Sequence, residues 1–311
     1  MITNKEKNFV SAVVYCHNCQ SAIASFLSSV NTVLKENFDK YEIICVNDSS
    51  TDKTVEAINT FCEENTVKSL TVVNTSFAQG LESAMIAGLD IAIGDFVFEF
   101  DSAVMDFEPS MIMDVYRTSQ KGNDIVFACP TEGQRWTSKL FYNLFNRFSD
   151  SEHKIKTQRF SVISRRGINR VKSMGAKTVY RKAVYASCGL PVKHIDYKPA
   201  QNTVVAGSAQ KVKRELALNS LILFTDIGYK ISLFLTVVMA VVLAAAGVYT
   251  VAVFFSANPV AGWTTTMLVM SFGFFGLFVI LAFVLKYLSV ILNLVFVHKQ
   301  YVIESVQKIT K

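Results

Sequence analysis

The sequence predicts an α/β domain followed by a C-terminal pair of membrane-crossing helices. Three observations predict it. The stretch Tyr41–Thr54 (YEIICVNDSSTDKT) passes from an apolar run containing Ile43, Ile44 and Val46 into a polar turn and then a helical pattern. This is how a strand ends in an open α/β sheet. Further strand-like runs, Phe9 to Tyr15 and Ser69 to Asn74, lie on either side of it, with helix-length segments between. Finally, Ile231–Phe255 and Thr264–Leu285 carry no charged residue, and each exceeds the roughly 20 apolar residues needed to cross hydrocarbon.

Taken in order, the first strand, FVSAVVY, leads through His17-Asn18 to a helix from about Ser21 to Glu36. The Asn47–Asp52 turn follows the second strand. There Asp52 or Ser50 can cap a helix from about Thr54 to Glu64, because a short oxygen-bearing side chain satisfies free N–H groups at a helix start. After the third strand, Gly80 lets the backbone approach a ligand, and the small residues of LESAMIAGLDIA let a helix lie close to the sheet. Phe96 to Phe100 is a strand that ends at Asp101. A helix then runs from Pro109 to about Lys121, and Asp124 to Cys129 is a further strand.

The segment Thr137–Ser149 spaces Leu140, Leu144 and Phe148 helically, with Phe141 and Phe145 alongside, so it presents a wide apolar face to a membrane or to the core. A second amphipathic helix, Lys213 to about Phe224, leads toward the first apolar run. The linker Ser256–Trp263 holds Pro259 and Gly262 and no charge, so the two runs form a hairpin. Lys286 can snorkel near the far end of the second run, and that helix continues to about Val297.

At 311 residues the chain has room for one sizeable domain plus a smaller part. Lys211, Lys213, Arg214 and Lys230 precede the first apolar run, and His298, Lys299, Lys308 and Lys311 follow the second. Both termini are therefore expected in the cytoplasm, and no signal peptide is visible in the polar Met1–Asn8. The net charge of +6 suits phosphate-rich partners and an anionic membrane surface, and nothing points to nucleic acid. The cysteines Cys16, Cys19, Cys45, Cys62, Cys129 and Cys188 are scattered. Cys16-His17-Asn18-Cys19 spells a C-x-x-C that can be read as a redox pair, as half a zinc site or as an ordinary strand end.

The Asn47–Thr54 turn resembles the D-D-G-S-T-D-x-T strand end of family 2 glycosyltransferases, with Asn47 and Ser49 as departures. Gly80, Glu82, Ala84, Gly88, Ala92, Gly94 and Asp95 follow the family's pattern of a glycine turn, a small-residue helix and A-x-G-D. The resemblance implies a GT-A (Rossmann-like) nucleotide-sugar domain, in which Asp48 contacts the nucleotide base and Asn18 and Gly80 line the donor site. The family's D-x-D, which holds Mg2+ or Mn2+ against the donor diphosphate, reads Asp101-Ser102-Ala103 here. The resemblance therefore implies Asp101 for catalysis, donor binding and metal, with Asp106 on the next acidic position as its second metal ligand.

Phe141-Tyr142 and Asn146-Arg147 resemble the membrane-proximal helix of polyprenyl-phosphate sugar synthases. Arg159–Arg166 (RFSVISRR) resembles their D-F-R-L-x-S-R-R, with Arg159 and Ser161 in place of the aspartate and first arginine. Arg165 and Arg166 can meet the acceptor phosphate or form a solvated basic patch. Ala206–Lys211 is similar to the A-G-x-S-K-Y loop, which puts Lys211 on the same phosphate.

The implied organisation is a nucleotide-sugar domain over 1–136, acceptor-side and juxtamembrane helices over 137–228, two transmembrane helices over 229–299 and a cytoplasmic tail over 300–311. The implied reaction moves a sugar from a nucleotide sugar to a polyprenyl phosphate at a bacterial plasma membrane, in envelope glycan synthesis. The expected partners are the nucleotide sugar, the lipid phosphate, the bilayer and, as an assembly, a homo-oligomer. The competing reading is a catalytically weakened relative that binds a nucleotide or a partner protein.

Overall fold

Buried apolar runs alternating with amphipathic helices assemble one mixed sheet. The computed structural model describes residues 5–132 except 66 and 68, 141–147 except 144, 153–174, 180–199, isolated positions between 234 and 245, 263–296 and 301–309. In chain order the elements are β1 (Val10–Cys16), α1 (Ile23–Asn37), β2 (Tyr41–Asn47), α2 (Thr54–Glu64), β3 (Leu70–Thr75), α3 (Leu81–Ile91), β4 (Phe96–Phe100) and α4 (Met111–Gln120). They continue with β5 (Ile125–Pro130), β6 (Phe160–Ser164), α5 (Arg165–Ser173), α6 (Arg181–Ser187), β7 (Val192–Tyr197), α7 (Trp263–Phe296) and β8 (Ile303–Ile309).

The sheet order is β7-β5-β6-β4-β1-β2-β3-β8. Strands β4, β1, β2 and β3 are mutually parallel, whereas β6 is antiparallel to both β4 and β5, and β8 is antiparallel to β3. Because side chains alternate along a strand, β1 sends Ala12 and Val14 to one face and Val13 to the other. The first face packs Phe98, Phe100 and the helices α1, α2 and α4. The second packs Ile44, Val46 and the apolar sides of α3 and α5.

Gly88 explains the small-residue pattern of α3. A Cβ there would lie 2.4 Å from Val13 Cγ1 and 2.8 Å from Val46 Cγ2, so the helix sits directly on β1 and β2. The A-x-G-D turn is likewise structural. Asp95 takes a hydrogen bond from the Phe9 amide at 2.9 Å, and the Gly94 amide donates to Ser11 Oγ at 2.9 Å. This fastens the amino ends of β1 and β4.

The chain divides into two units, Met1–Ala217 with Lys299–Lys311, and Leu218–His298. Residues 300–311, read from sequence as a tail, therefore include the strand β8. The extended pattern of Ile303–Ile309 lets it cover the open edge of β3, which would otherwise expose unpaired backbone groups. The first unit also reaches past residue 136 and takes in β6, α5, α6 and β7.

Among the described residues no helix is long and apolar enough to cross a membrane. The backbone of α7 is nonetheless helical over 34 residues, of whose sequence Lys286 is the only charged member. The helix expected over Lys213–Phe224, the linker Ser256–Ala261 and most of Ile231–Phe255 lie outside the described residues.

Gly94 gives a direct test of the amino-end clamp. A Cβ at this position would lie 2.6 Å from the Ser11 backbone nitrogen and 2.8 Å from the Val10 carbonyl carbon. Backbone cannot rotate away as a side-chain tip can, so Gly94→Ala should lower the unfolding free energy by about 1–3 kcal/mol in urea titration. A loss below about 0.5 kcal/mol would mean that the turn yields freely.

Candidate functional site

Parallel β4, β1, β2 and β3 bring their carboxyl ends to one edge, the place where open α/β sheets hold ligands. Residues Cys16–Asn18, the Asp48 turn, the 76–80 loop and Asp101 all follow these strands. β1 separates β2 from β4, so Asp48 and Asp101 lie two strand spacings apart, roughly 10 Å.

Asp48 is buried and its carboxylate is surrounded by internal donors. Oδ1 accepts from the Gln79 amide at 2.7 Å and the Thr75 hydroxyl at 3.1 Å. Oδ2 accepts from the Gly80 amide at 2.9 Å and the Tyr15 hydroxyl at 3.0 Å. In this conformation Asp48 holds the 76–80 loop rather than presenting an oxygen to solvent. Gly80 has φ +86 and ψ 164, a backbone conformation that only glycine adopts without strain.

Asn18 also has positive φ, and its Oδ1 accepts from the Thr51 amide at 2.8 Å while its own amide donates to Ser50 Oγ at 3.1 Å. It ties the β1 end to the β2 turn. The Asn47 departure has a local reason. Its Nδ2 donates to Asn74 Oδ1 at 2.9 Å, which an aspartate cannot do. The cap position of α2 falls on Lys53, not on Asp52 or Ser50 as expected; Asp52, one residue earlier, accepts from the Thr54 amide at 3.1 Å.

Around Asp101 the structure adds residues that the sequence reading missed. The backbone amide and Nε of Arg181 donate to Glu82 Oε2 at 3.0 and 2.9 Å, Nη1 to Glu99 Oε1 at 2.5 Å, and Nη2 to Asp101 Oδ1 at 2.8 Å. Lys182 Nζ donates to Asp101 Oδ2 at 2.9 Å. Glu99 also accepts from Tyr185 Oη and Ser161 Oγ, both at 3.0 Å. The only sequence signal for this cluster is an unexplained basic pair at the start of a short helix, whose arginine lies 80, 82 and 99 positions from Asp101, Glu99 and Glu82.

The electrostatics follow burial and pairing. Burial pushes the Asp101 carboxyl up, but Lys182 and Arg181 outweigh it and hold it below the ordinary carboxylate value. Burial pushes Lys182 down, and Asp101 more than reverses this, so the lysine stays cationic. At Glu99 burial wins over Arg181 and the carboxyl is raised.

Asp106 is a correction to the expected metal pair. Its Oδ2 accepts from Arg159 Nε at 2.7 Å and its Oδ1 from the Tyr197 hydroxyl at 2.8 Å, and it is 1% exposed. Both of its oxygens are thus committed inside the domain. The same holds for Asp101, while Ala103 has no ligand to offer. Among the described residues no group of three or more His, Cys, Asp or Glu is arranged to hold a metal ion. Glu82 Oε1 is a buried carboxylate oxygen without a protein partner, but it offers one hard ligand on a carboxylate already shared with Arg181. A divalent ion about 4 Å from the Lys182 ammonium would also meet about 8 kcal/mol of repulsion at an effective dielectric near 20. This donor set does not fit Mg2+ or Mn2+.

Arg165 and Arg166, expected at an acceptor phosphate, lie at the opposite edge of the sheet. β6 runs antiparallel to β4, so Ser164 pairs with Phe96 and the arginines follow at the amino end of β4. Arg165 donates to the Gly94 carbonyl at 2.6 Å and the Ala92 carbonyl at 2.8 Å, and Arg166 pairs with Asp124. Arg165 closes the A-x-G-D turn, and Arg166 ties the start of α5 to the residue before β5. Lys211 lies outside the described residues. Phe145, on the segment read as either membrane-facing or core-facing, is fully buried, and Asn146 beside it bonds both backbone groups of Ile155.

The 76–80 loop carries a second unforeseen feature. Gln79 exchanges two hydrogen bonds with the Val302 backbone, at 2.6 and 2.7 Å, so the segment leading into β8 is fastened to the loop that Asp48 holds. Phe77 in the same loop is 57% exposed.

A three-layer α/β domain built on this mixed sheet is a GT-A-like fold. Residues 11–171 match glycosyl transferase family 2, and the chain belongs to that family. An uncharacterised glycosyltransferase of Synechocystis is 30% identical over 186 residues, 58% of each chain. A prophage bactoprenol glucosyl transferase homologue of Escherichia coli is 28% identical over 65% of this chain and 66% of its own. The bactoprenol glucosyl transferase of Shigella phage SfV is 29% identical over 64% and 65%. The matches thus span less than two thirds of these relatives' lengths.

Among solved structures, a mannosyltransferase from Pyrobaculum calidifontis in complex with GDP-Man and Mn2+ superposes with a TM-score of 0.50 at 16% identity, over 70% of this chain and 63% of that one. Mannosyl-3-phosphoglycerate synthase from Rubrobacter xylanophilus gives 0.50 at 17%, over 68% and 71%. At such identities the likeness is one of fold.

Arg181 is the test of the cluster. Arg181→Met would leave Glu82, Glu99 and Asp101 facing one another around a lost cation, and should lower the unfolding free energy by about 3–5 kcal/mol. Chemical denaturation measures this, and a loss under about 1 kcal/mol would mean that the acids hold their places without it.

Proposed function

We propose that this protein is a membrane-associated glycosyltransferase that moves a sugar from a nucleotide sugar to a polyprenyl phosphate or a related membrane acceptor, in envelope glycan synthesis. The observation that carries the reading is the family 2 domain's likeness, over about two thirds of the chain, to bactoprenol glucosyl transferases. The clustering of Asn18, Asp48, Gly80 and Asp101 at the carboxyl edge supports it. So do the uncharged runs Ile231–Phe255 and Thr264–Leu285.

In this reading the nucleotide lies across the ends of β1, β2 and β3. Asp48 acts by fixing the 76–80 loop, Asn18 shapes the neighbouring turn, and exposed Phe77 offers a face on which a base stacks. The diphosphate extends toward Asp101. An oxygen of the acceptor phosphate attacks the anomeric carbon, and the bond to the donor diphosphate breaks with its electron pair leaving on the nucleoside diphosphate. The attacking oxygen is already ionised, so orientation and neutralisation of the leaving group carry the rate. The two apolar runs form a hairpin in a bacterial plasma membrane, with the domain and both termini on the cytoplasmic side, as the flanking basic residues favour. Lys211 serves the acceptor phosphate.

A second reading has its own observation. Arg159 and Ser161 stand where the resemblance implies an aspartate and an arginine, and both are spent on internal contacts, with Asp106 and Glu99. A weakened relative would bind a nucleotide and transfer nothing.

Detergent-purified protein incubated with radiolabelled UDP-, GDP- or CDP-linked sugars and polyprenyl phosphate should move label into the solvent-extractable lipid and release nucleoside diphosphate. Nucleotide binding without transfer to any lipid phosphate would favour the weakened relative. Absence of both from folded protein would sink the transferase reading.

A further inference from the structure

Among the described residues the site lacks what a divalent ion needs, yet it places a cation beside Asp101. We infer that Lys182 takes the metal's part, so that donor binding and transfer proceed without a divalent ion. This rests on the donor-site reading above.

The cluster is layered. Glu99 and Arg181 form its floor, with side chains 1% and 3% exposed, and each of the three guanidinium nitrogens donates to one of Glu82, Glu99 and Asp101. Asp101 and Lys182 lie above at 15% and 10%. Arg181 is therefore a positioning residue, holding Asp101 by one oxygen. The other oxygen orients the Lys182 ammonium, which has three protons and gives one to Asp101. The remaining N–H groups can meet diphosphate oxygens at the mouth of the cluster.

Ala103, where the resemblance implies a second aspartate, is buried in the apolar cluster with Phe100 and Phe107 and adds no carboxylate to the site. Pairing with Asp101 also keeps Lys182 protonated in its buried position, so its charge is in place before the donor arrives. During transfer the lysine keeps its proton. The carbon–oxygen bond to the diphosphate breaks, the new bond forms to the acceptor phosphate oxygen, and the extra negative charge on the departing nucleoside diphosphate rests against the ammonium.

Calorimetry on the full chain in detergent tests this with UDP-, GDP- and CDP-linked sugars, in excess chelator and in Mn2+. Wild-type affinity should agree within about twofold between the two conditions. Lys182→Ala should weaken binding by about tenfold or more, the value of one charged hydrogen bond, and Lys182→Arg should restore most of it. A tenfold loss of wild-type nucleotide affinity in chelator would overturn the inference while leaving the donor-site reading intact. Unchanged affinity in folded Lys182→Ala would do the same. Wild-type protein, folded but binding no nucleotide in either condition, would overturn both.

Discussion

The guanidinium of Arg181 is the interaction on which the site depends. Glu82 begins α3, Glu99 lies within β4 and Asp101 follows it, and all three carboxylates converge on one side chain. Without a buried cation three acids could not share this space, because each would be desolvated and would repel the others. With it, the start of α3 is joined to the end of β4. Since the Gly80 amide, two residues before Glu82, is held by Asp48, Asp48 and Asp101 are linked through this short backbone segment and the hydrogen bonds at its two ends.

The two edges of the sheet have separated their duties. At the amino end Gly94, Asp95 and Arg165 form a clamp at the other end of the strands from the carboxyl-end site, tied through the Ser11 hydroxyl, the Phe9 amide and the Gly94 carbonyl. At the carboxyl end the same kinds of residue are left partly open. Asp101 and Lys182 retain some exposure, and Phe77 stands in solvent. Stability is concentrated where the strands begin and chemistry where they end, as the loops at the carboxyl edge are free to vary without disturbing strand register.

β8 extends this logic to the end of the chain. It pairs with β3 over Ile303–Ile309, and the residues just before it are bonded to Gln79 and, through Tyr301, to Asp90 on α3. The loop beside Asp48 is thus held from both sides, once by its own strand end and once by a segment more than two hundred positions away.

The sequence by itself determined the α/β class of the sheet domain and the local elements of its parallel core. The expected strands Phe9–Tyr15, Tyr41–Val46, Ser69–Asn74 and Phe96–Phe100 fall within a residue or so of β1 to β4, because a strand buried on both faces is written as an uninterrupted apolar run. The Asp48 turn was legible for the same local reason. What only the tertiary structure decided was the partner of each charge. Arg165 and Arg166 read as a phosphate site until the antiparallel course of β6 carried them to the opposite edge. Asp106 read as a metal ligand until Arg159 and Tyr197 claimed its oxygens. Arg181, Lys182 and β8 gave no local sign of their roles, since Coulomb attraction and strand pairing act across space and leave no period in the chain.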